Sequence, residues 1–347
     1  MKRIVFVLLA LFMAIPAFSQ ASGLQTAATV NLTKTEAITV GQLRTEVQRM
    51  EKMSGKALNK AERLQVLDVI INEKLVIQAA ERDRIMVTEN EINQQIDQLK
   101  NVLTQQLGRK PTDAEFAQAV MNESGLDVPT FKEQLRRQLI VQKYLMAKKG
   151  DMINSVKRPT EEEIQSEYAL LKGELVRAET IRCSMIQVSY GSDAAARSKA
   201  KALADSLVKE INNDPAKFDE VAQRSVAPNS GYQAGDAGYL PRNQEARKLV
   251  GQAFMDTAFS LKQGQVSKLI EGQQGYQIIK ITENYAGKQL ELTDVLQLGT
   301  RITVRDYIGQ GLLNQRQQAA LKQASEEIVK ELRTGKTFQI FENNINW

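Results

Sequence analysis

Ile181-Arg-Cys-Ser-Met-Ile-Gln-Val188 is the stretch on which the fold class turns. Its residues favour a strand. An Ala-rich helix is predicted over Ala194–Ile211 and a short one over Phe218–Arg224. The residues from Ser225 to Gly238 are dense in Gly, Pro, Asn and Ser and read as loop. Helix returns before Phe259, and Val266–Ile270 and Tyr276–Ile281 read as a strand pair closing a sheet. These pieces form an α+β unit of about 110 residues, with expected limits of 178–287.

Upstream the texture is helical. Asn59 stands three residues before Glu62, Thr88 before Glu91, Thr112 before Glu115 and Thr160 before Glu163, each ahead of an apolar-periodic segment. In such a capping box the cap side chain accepts from an orphan amide while the glutamate reaches back to the cap. Leu64, Leu67, Ile71, Leu75 and Ala79 form one stripe, and Ile92, Ile96, Leu99 and Leu103 another. Gly108 and Gly125 suit helix stops, and Phe131, Leu135 and Leu139 open a further helix. Core-facing is the ordinary role of such stripes, so a groove for a bound polypeptide can use only what the core leaves exposed. A hairpin is predicted between Ala28 and Gln42, and the helical module is expected over 24–177 with a boundary near Arg177.

Before the module, Lys2 and Arg3 precede an apolar run, Ile4 to Phe18, too short for a comfortable membrane span. It reads as a secretory signal over 1–19 with cleavage after Ser19 or Ala21. Without a cysteine at that junction, a lipid-anchored form is not expected, and neither is stable membrane insertion after cleavage. Downstream, 288–347 reads as a Gln-rich helix, Val304–Arg333, then a strand through Phe338, Ile340 and Ile345 to Trp347. Exposing that much apolar surface is unfavourable, so the terminus is expected to pack back on the N-terminal hairpin.

The 347 residues hold no histidine and one cysteine, Cys183. That excludes histidine-based triads, imidazole metal sites, an internal disulfide and multi-cysteine metal sites. The formal charge of +5, or +3 without Lys2 and Arg3, is too mild to imply nucleic acid. No GxxxxGK[ST] loop is present, and no cofactor or metal is expected.

From about Ala178 to Gly287 the chain resembles the parvulin (PpiC-type) peptidyl-prolyl isomerases. The matching blocks arrive in family order: Ile181 to Val188; Phe218-Asp-Glu-Val-Ala; Gly235-Asp-Ala-Gly-Tyr; Ala258-Phe-Ser-Leu-Lys-Gln-Gly-Gln-Val-Ser; and Gly275-Tyr-Gln-Ile-Ile-Lys-Ile. Arg63-Leu-Gln-Val-Leu-Asp-Val-Ile-Ile-Asn-Glu-Lys-Leu and Phe131-Lys-Glu-Gln-Leu-Arg-Arg-Gln-Leu resemble the N-terminal module of SurA-type periplasmic chaperones. The implied architecture is multidomain α+β: a SurA-like helical module, a parvulin-like domain, and a C-terminal helix and strand completing the module. Gly235 and Gly238 suit positive-φ loop positions, and Phe218, Phe254 and Phe259 are core residues on the simplest reading.

An active parvulin carries a histidine on its first strand, a second in the Gly-Tyr-His-Ile-Ile strand, and a Cys or Asp in the loop after the Phe-containing helix. Met185, Gln277 and Ala227 take those places here. Val250, Phe254 and Tyr276 are the positions that would outline the proline pocket. Cys183, two residues before Met185, is expected on the same side of the strand as a small buried hydrophobe. Rotation about an X-Pro bond crosses a barrier of roughly 18–20 kcal/mol, and only groups that favour the twisted amide over both planar forms accelerate it. Gln277 retains a hydrogen-bonding group; Met185 replaces neither the polarity nor the network of a histidine.

Three functions follow as expectations. The first is an ATP-independent periplasmic holdase for unfolded exported polypeptides such as outer-membrane precursors, with catalysis at the parvulin-like domain weak or absent. The second is an active prolyl isomerase working through Gln277. The third is a scaffold whose helices bind one dedicated partner.

Overall fold

The computed structural model describes residues 24–347; the expected signal and its cleavage sites lie outside the described residues. Two compact units emerge, one made of the described residues up to Lys157 with Gln315–Trp347, the other of Arg158–Asn314.

In the first unit β1 (Thr26–Asn31) and β2 (Thr35–Thr39) form an antiparallel hairpin, followed by α1 (Val40–Ser54), α2 (Lys60–Arg82), α3 (Glu89–Leu107), α4 (Asp113–Ser124) and α5 (Val128–Asn154). Capping boxes start α2, α3 and α4 at Asn59, Thr88 and Thr112, and Gly108 and Gly125 end α3 and α4 with positive φ. The helix α1 occupies residues expected to close the hairpin. Thr39 and Gln42 form a fifth capping box, and Val40, Leu43 and Val47 turn inward. Two apolar clusters result. One gathers β1, β2, α1, α2 and the second half of α5 around Leu43, Leu67, Ile71 and Leu75. The other joins α3 and α4 to the first half of α5 through Ile92, Phe116, Phe131 and Leu135. Gln78, fully buried on α2, clamps the hairpin turn: its Oε1 accepts from the Leu32 and Thr33 amides at 2.9 and 3.1 Å, and its Nε2 donates to Lys34 O and Glu36 Oε1.

The second unit opens with α6 (Glu161–Leu171), capped by the Thr160/Glu163 box. It continues through β3 (Val176–Arg177), β4 (Thr180–Ser189), α7 (Ala194–Ile211), α8 (Pro215–Arg224), β5 (Gln233–Pro241), α9 (Gln244–Val250), α10 (Gln252–Ser260), β6 (Ile270–Glu271), β7 (Gly275–Tyr285) and β8 (Lys288–Gln289). An antiparallel sheet in the order β5-β4-β7-β6 forms its centre, and β3 pairs with β8 beside it. Ile164, Tyr168 and Leu171 of α6 pack with Leu175, Leu290, Val304 and Ile308. Residues 158–177 and 288–314 thus share a core, and the unit reaches beyond 178–287 on both sides.

Two local differences from the sequence reading concern strands. Residues 233–238, read as loop, belong to β5. Their Gly- and Asp-rich composition hides the alternation, and the ladder supplied by β4 makes the strand. Ala237 and Gly238 stand opposite the single residue Cys183 in a bulge, and Gly238 takes φ +78°; Gly235 has an ordinary φ and needs no such freedom. Val266–Ile270, read as a continuous strand, pairs with β7 only in places. Ser267 Oγ accepts the Ile279 amide at 2.9 Å, a hydroxyl standing where a ladder carbonyl would.

The helix α11 (Val304–Leu332) contributes Val304 and Ile308 to the second unit and Ile328 and Leu332 to the first. After it β9 (Phe338–Ile340) pairs antiparallel with β1, with Val30 opposite Phe338, and a 3-10 turn (Glu342–Ile345) buries Ile345. The C-terminal strand therefore does pack on the N-terminal hairpin, as the third strand of a sheet in the order β2-β1-β9. Trp347 lies between the guanidinium groups of Arg44 and Arg63, at 4.9 and 4.5 Å from the ring centre.

Candidate functional site

Register decides which side chains meet on the central sheet. Met185 is opposite Ile279 and Gln187 opposite Gln277 across β4 and β7. Side chains alternate along a strand, so Met185, Gln187, Gln277 and Ile279 share one face, with Met185 and Gln277 diagonal neighbours. The helices α9 and α10 cover part of that face. Phe254 and Met255 are buried there with Cys183, Ile279 and Ile281, and Met185 and Val250 lie half-buried against them. On the β5 side Gly235 pairs with Met185, and the space where its side chain would stand is open.

Of the six residues singled out from the sequence, four meet here: Met185, Gln277, Val250 and Phe254. Tyr276 does not join them. It precedes Gln277 on a strand and so points to the opposite face, where it is buried under α7 with its ring edge-on to Tyr190 at 5.1 Å. Its apolar ring serves the core between the sheet, α7 and α8, and it is withdrawn from the pocket outline. Ala227 lies exposed in the turn after α8, where its amide donates to Arg224 O and its carbonyl accepts from Ser230 N. Gln187, Met255 and Gly272 belong to the site and were not singled out. Gln187 was within reach, since it stands two residues after Met185 on the same strand.

The polar groups of this face are few. Gln277 Oε1 is buried without a hydrogen-bond partner, and Gly272 lies so close that a Cβ there would stand 2.6 Å from it. Cys183 shares the core with Met185, and burial pushes its thiol up to about 11, so it is neutral and unreactive near neutrality. The charged groups of the sheet form a separate network: Arg182 pairs with Asp236 at 2.6 Å and Glu283 at 2.8 Å, and the hydroxyls of Tyr239 and Tyr285 donate to Glu283. These contacts hold Asp236 and Glu283 below the usual carboxylate range, Asp236 chiefly through Arg182 and Glu283 chiefly through Tyr285. Chemically, the Met185–Gln277 face offers an apolar floor and amide groups for hydrogen bonding to a polypeptide. Among the described residues that line it, none exchanges a proton near pH 7.

A second surface belongs to the first unit. While Ile92, Ile96 and Leu103 of α3 turn inward, Val102 and Leu107 remain exposed, as do Met53, Met86, Met121 and Met146. Methionine side chains are flexible and polarisable and adapt to varied apolar partners.

Comparison with known proteins adds two domain matches and a set of relatives. Residues 1–145 match the family model of a SurA-like N-terminal domain, and residues 168–285 match that of a PPIC-type PPIase domain. A chaperone SurA of Pseudomonas savastanoi is 26% identical over 84% of this chain and 64% of its own length. A foldase protein PrsA of Clostridium botulinum is 24% identical over 79% of this chain and 73% of its own. The chain thus spans between half and two thirds of the SurA proteins it matches, from 50% of one to 64% of another. A solved SurA-like chaperone of Campylobacter jejuni aligns with 91% of this chain and 98% of its own, at 14% identity and a TM-score of 0.35.

Proposed function

We propose that this chain, which belongs to the SurA-type family of PpiC-domain proteins, is an ATP-independent periplasmic holdase whose PPIC-type domain binds polypeptide without efficient prolyl isomerisation. The observation that supports the reading is the make-up of the sheet face: Met185 and Gln277, at the positions where the parvulin resemblance implies histidines, share it with Gln187 and the buried Ile279. Such a face can receive an apolar side chain and hydrogen-bond a backbone. It has nothing to polarise a twisting amide differently from a planar one, and uniform binding does not lower a barrier. The exposed apolar residues of the helical unit supply the surface for unfolded segments, including outer-membrane precursors, whose aggregation falls when such segments are covered reversibly.

A second reading, a slow isomerase, draws on the unpartnered Gln277 Oε1, which lies against Gly272 on the same sheet face as Met185. Refolding of a proline-limited client with the protein titrated from trace to stoichiometric amounts separates the two. The holdase suppresses light scattering near stoichiometry and leaves the slow proline phase unchanged; acceleration at trace amounts establishes the isomerase and overturns our reading.

A further inference from the structure

In the first unit α1, α2 and α5 close over a group of polar side chains that neither proposed binding surface uses. Glu73 of α2 is 6% exposed, Glu46 of α1 2% and Gln134 of α5 7%. Arg137, one turn beyond Gln134 on the same face of α5, places Nε 3.3 Å from Glu73 Oε1, an ion pair outside hydrogen-bond geometry. Gln134 Oε1 is likewise buried without a hydrogen-bond partner. Glu46 is tied to Arg49 on its own helix. Lys74, beside Glu73 in sequence, is engaged by Glu36 of β2 at 2.8 Å. Elsewhere around α2, Arg333, immediately after α11, is engaged by Asp68 at 2.6 Å, Arg44 of α1 stacks on Trp347, β1 carries no charged residue and the turn after β9 carries only the exposed Glu342.

Glu73 therefore sits in a low-dielectric interface with one imperfect cationic partner, a second cation already committed elsewhere, and another carboxylate nearby. Burial pushes its carboxyl up to about 7, against the opposing pull of Arg137 and Lys74 and with the help of Glu46. The position matters because α5 belongs to both clusters of the unit: its second half packs on α1 and α2, and its first half carries α3 and α4.

We propose that Glu73 makes the seating of α5 on α1 and α2 respond to pH across neutrality: the interface is closed while the carboxyl is neutral and opens more often once it ionises, loosening the α3–α4 layer that α5 carries. A carboxyl that titrates higher in the closed form than in the open one stabilises the closed form fully below about pH 4.5 and loses that advantage as pH rises through about 7. Between pH 6 and pH 8 the same linkage multiplies the opening equilibrium about tenfold. The inference concerns the helical unit alone and stands whether or not the chain is a holdase.

Hydrogen–deuterium exchange of the full chain at pH 6 and pH 8, corrected for intrinsic exchange, tests it without any client. Amides of α5 facing α2 should show the tenfold rise in opening, and Glu73→Gln should abolish it. A rise below threefold in the unaltered chain, or an equal rise in the variant, overturns the proposal. If Glu73→Gln does not fold, carbon-13 titration of the Glu73 carboxyl in the unaltered chain decides: a midpoint above pH 6 is expected, and one below it overturns the proposal.

Discussion

Gln277 keeps its seat because Gly272 has no side chain, and the neighbouring Gly275 is confined for a different reason. A Cβ on Gly272 would press on the end of the Gln277 side chain, at 2.6 Å, which can swing aside. A Cβ on Gly275 would stand 2.3 Å from the Val188 carbonyl oxygen and 2.9 Å from Ser189 Cα, backbone held in the β4 ladder. Overpacking that only a backbone shift relieves costs about 3 kcal/mol, whereas turning a terminal amide costs under about 1 kcal/mol. Urea unfolding should therefore rank Gly275→Ala far below Gly272→Ala in stability, while Gly272→Ala moves the Gln277 side-chain amide resonances. Equal losses in the two variants would show that Gln277 is locked in place. At this scale the sequence carried more than its motif reading extracted: a period of two already sets Tyr276 and Gln277 on opposite faces, so they do not line one pocket.

Helix ends were the most legible elements. Each of the four capping boxes found in the sequence forms, because the cap satisfies amides within three residues and needs no tertiary partner. The same chemistry at Thr39 and Gln42 starts α1 where the hairpin is expected to close, so that Val40 turns inward with Leu43 and Val47 on a helix. Strand β5 was not legible, since its glycines and Asp236 carry no strand propensity and its existence depends on β4. The β1–β2 turn depends on a distant residue in the same way. Gln78→Ala would leave the Leu32 and Thr33 amides and the Lys34 carbonyl without their side-chain partner. The expected cost is about 3 kcal/mol, because three part-buried hydrogen bonds of about 1 kcal/mol each are lost together. Thermal unfolding and amide exchange at residues 32–34 measure it; a loss under about 1 kcal/mol would mean that water replaces the amide.

Across the whole molecule, the proposed binding of unfolded segments by the helical unit has a direct consequence. Replacing the exposed Met86, Met121 and Met146 with serine should weaken protection of an aggregating client more than removal of the PPIC-type domain does. Each replacement should change stability by no more than about 0.5 kcal/mol, as surface substitutions do. Full protection by the triple variant, together with its loss on removing the domain, would move the binding surface to the sheet face. The sequence by itself determined the modular α+β organisation, the capped starts of α2, α3, α4 and α6, and the central strands β4 and β7. All of these are written in local periodicity, capping chemistry and residue identity. Only the tertiary structure decided that β9 becomes the third strand beside β1, that residues 158–177 and 288–314 share a core, and that Glu73 is buried against Arg137. Those outcomes rest on contacts between residues far apart in the chain, and burial, which fixes the electrostatics of Glu73 and the unreactive thiol of Cys183, exists only once those contacts have closed.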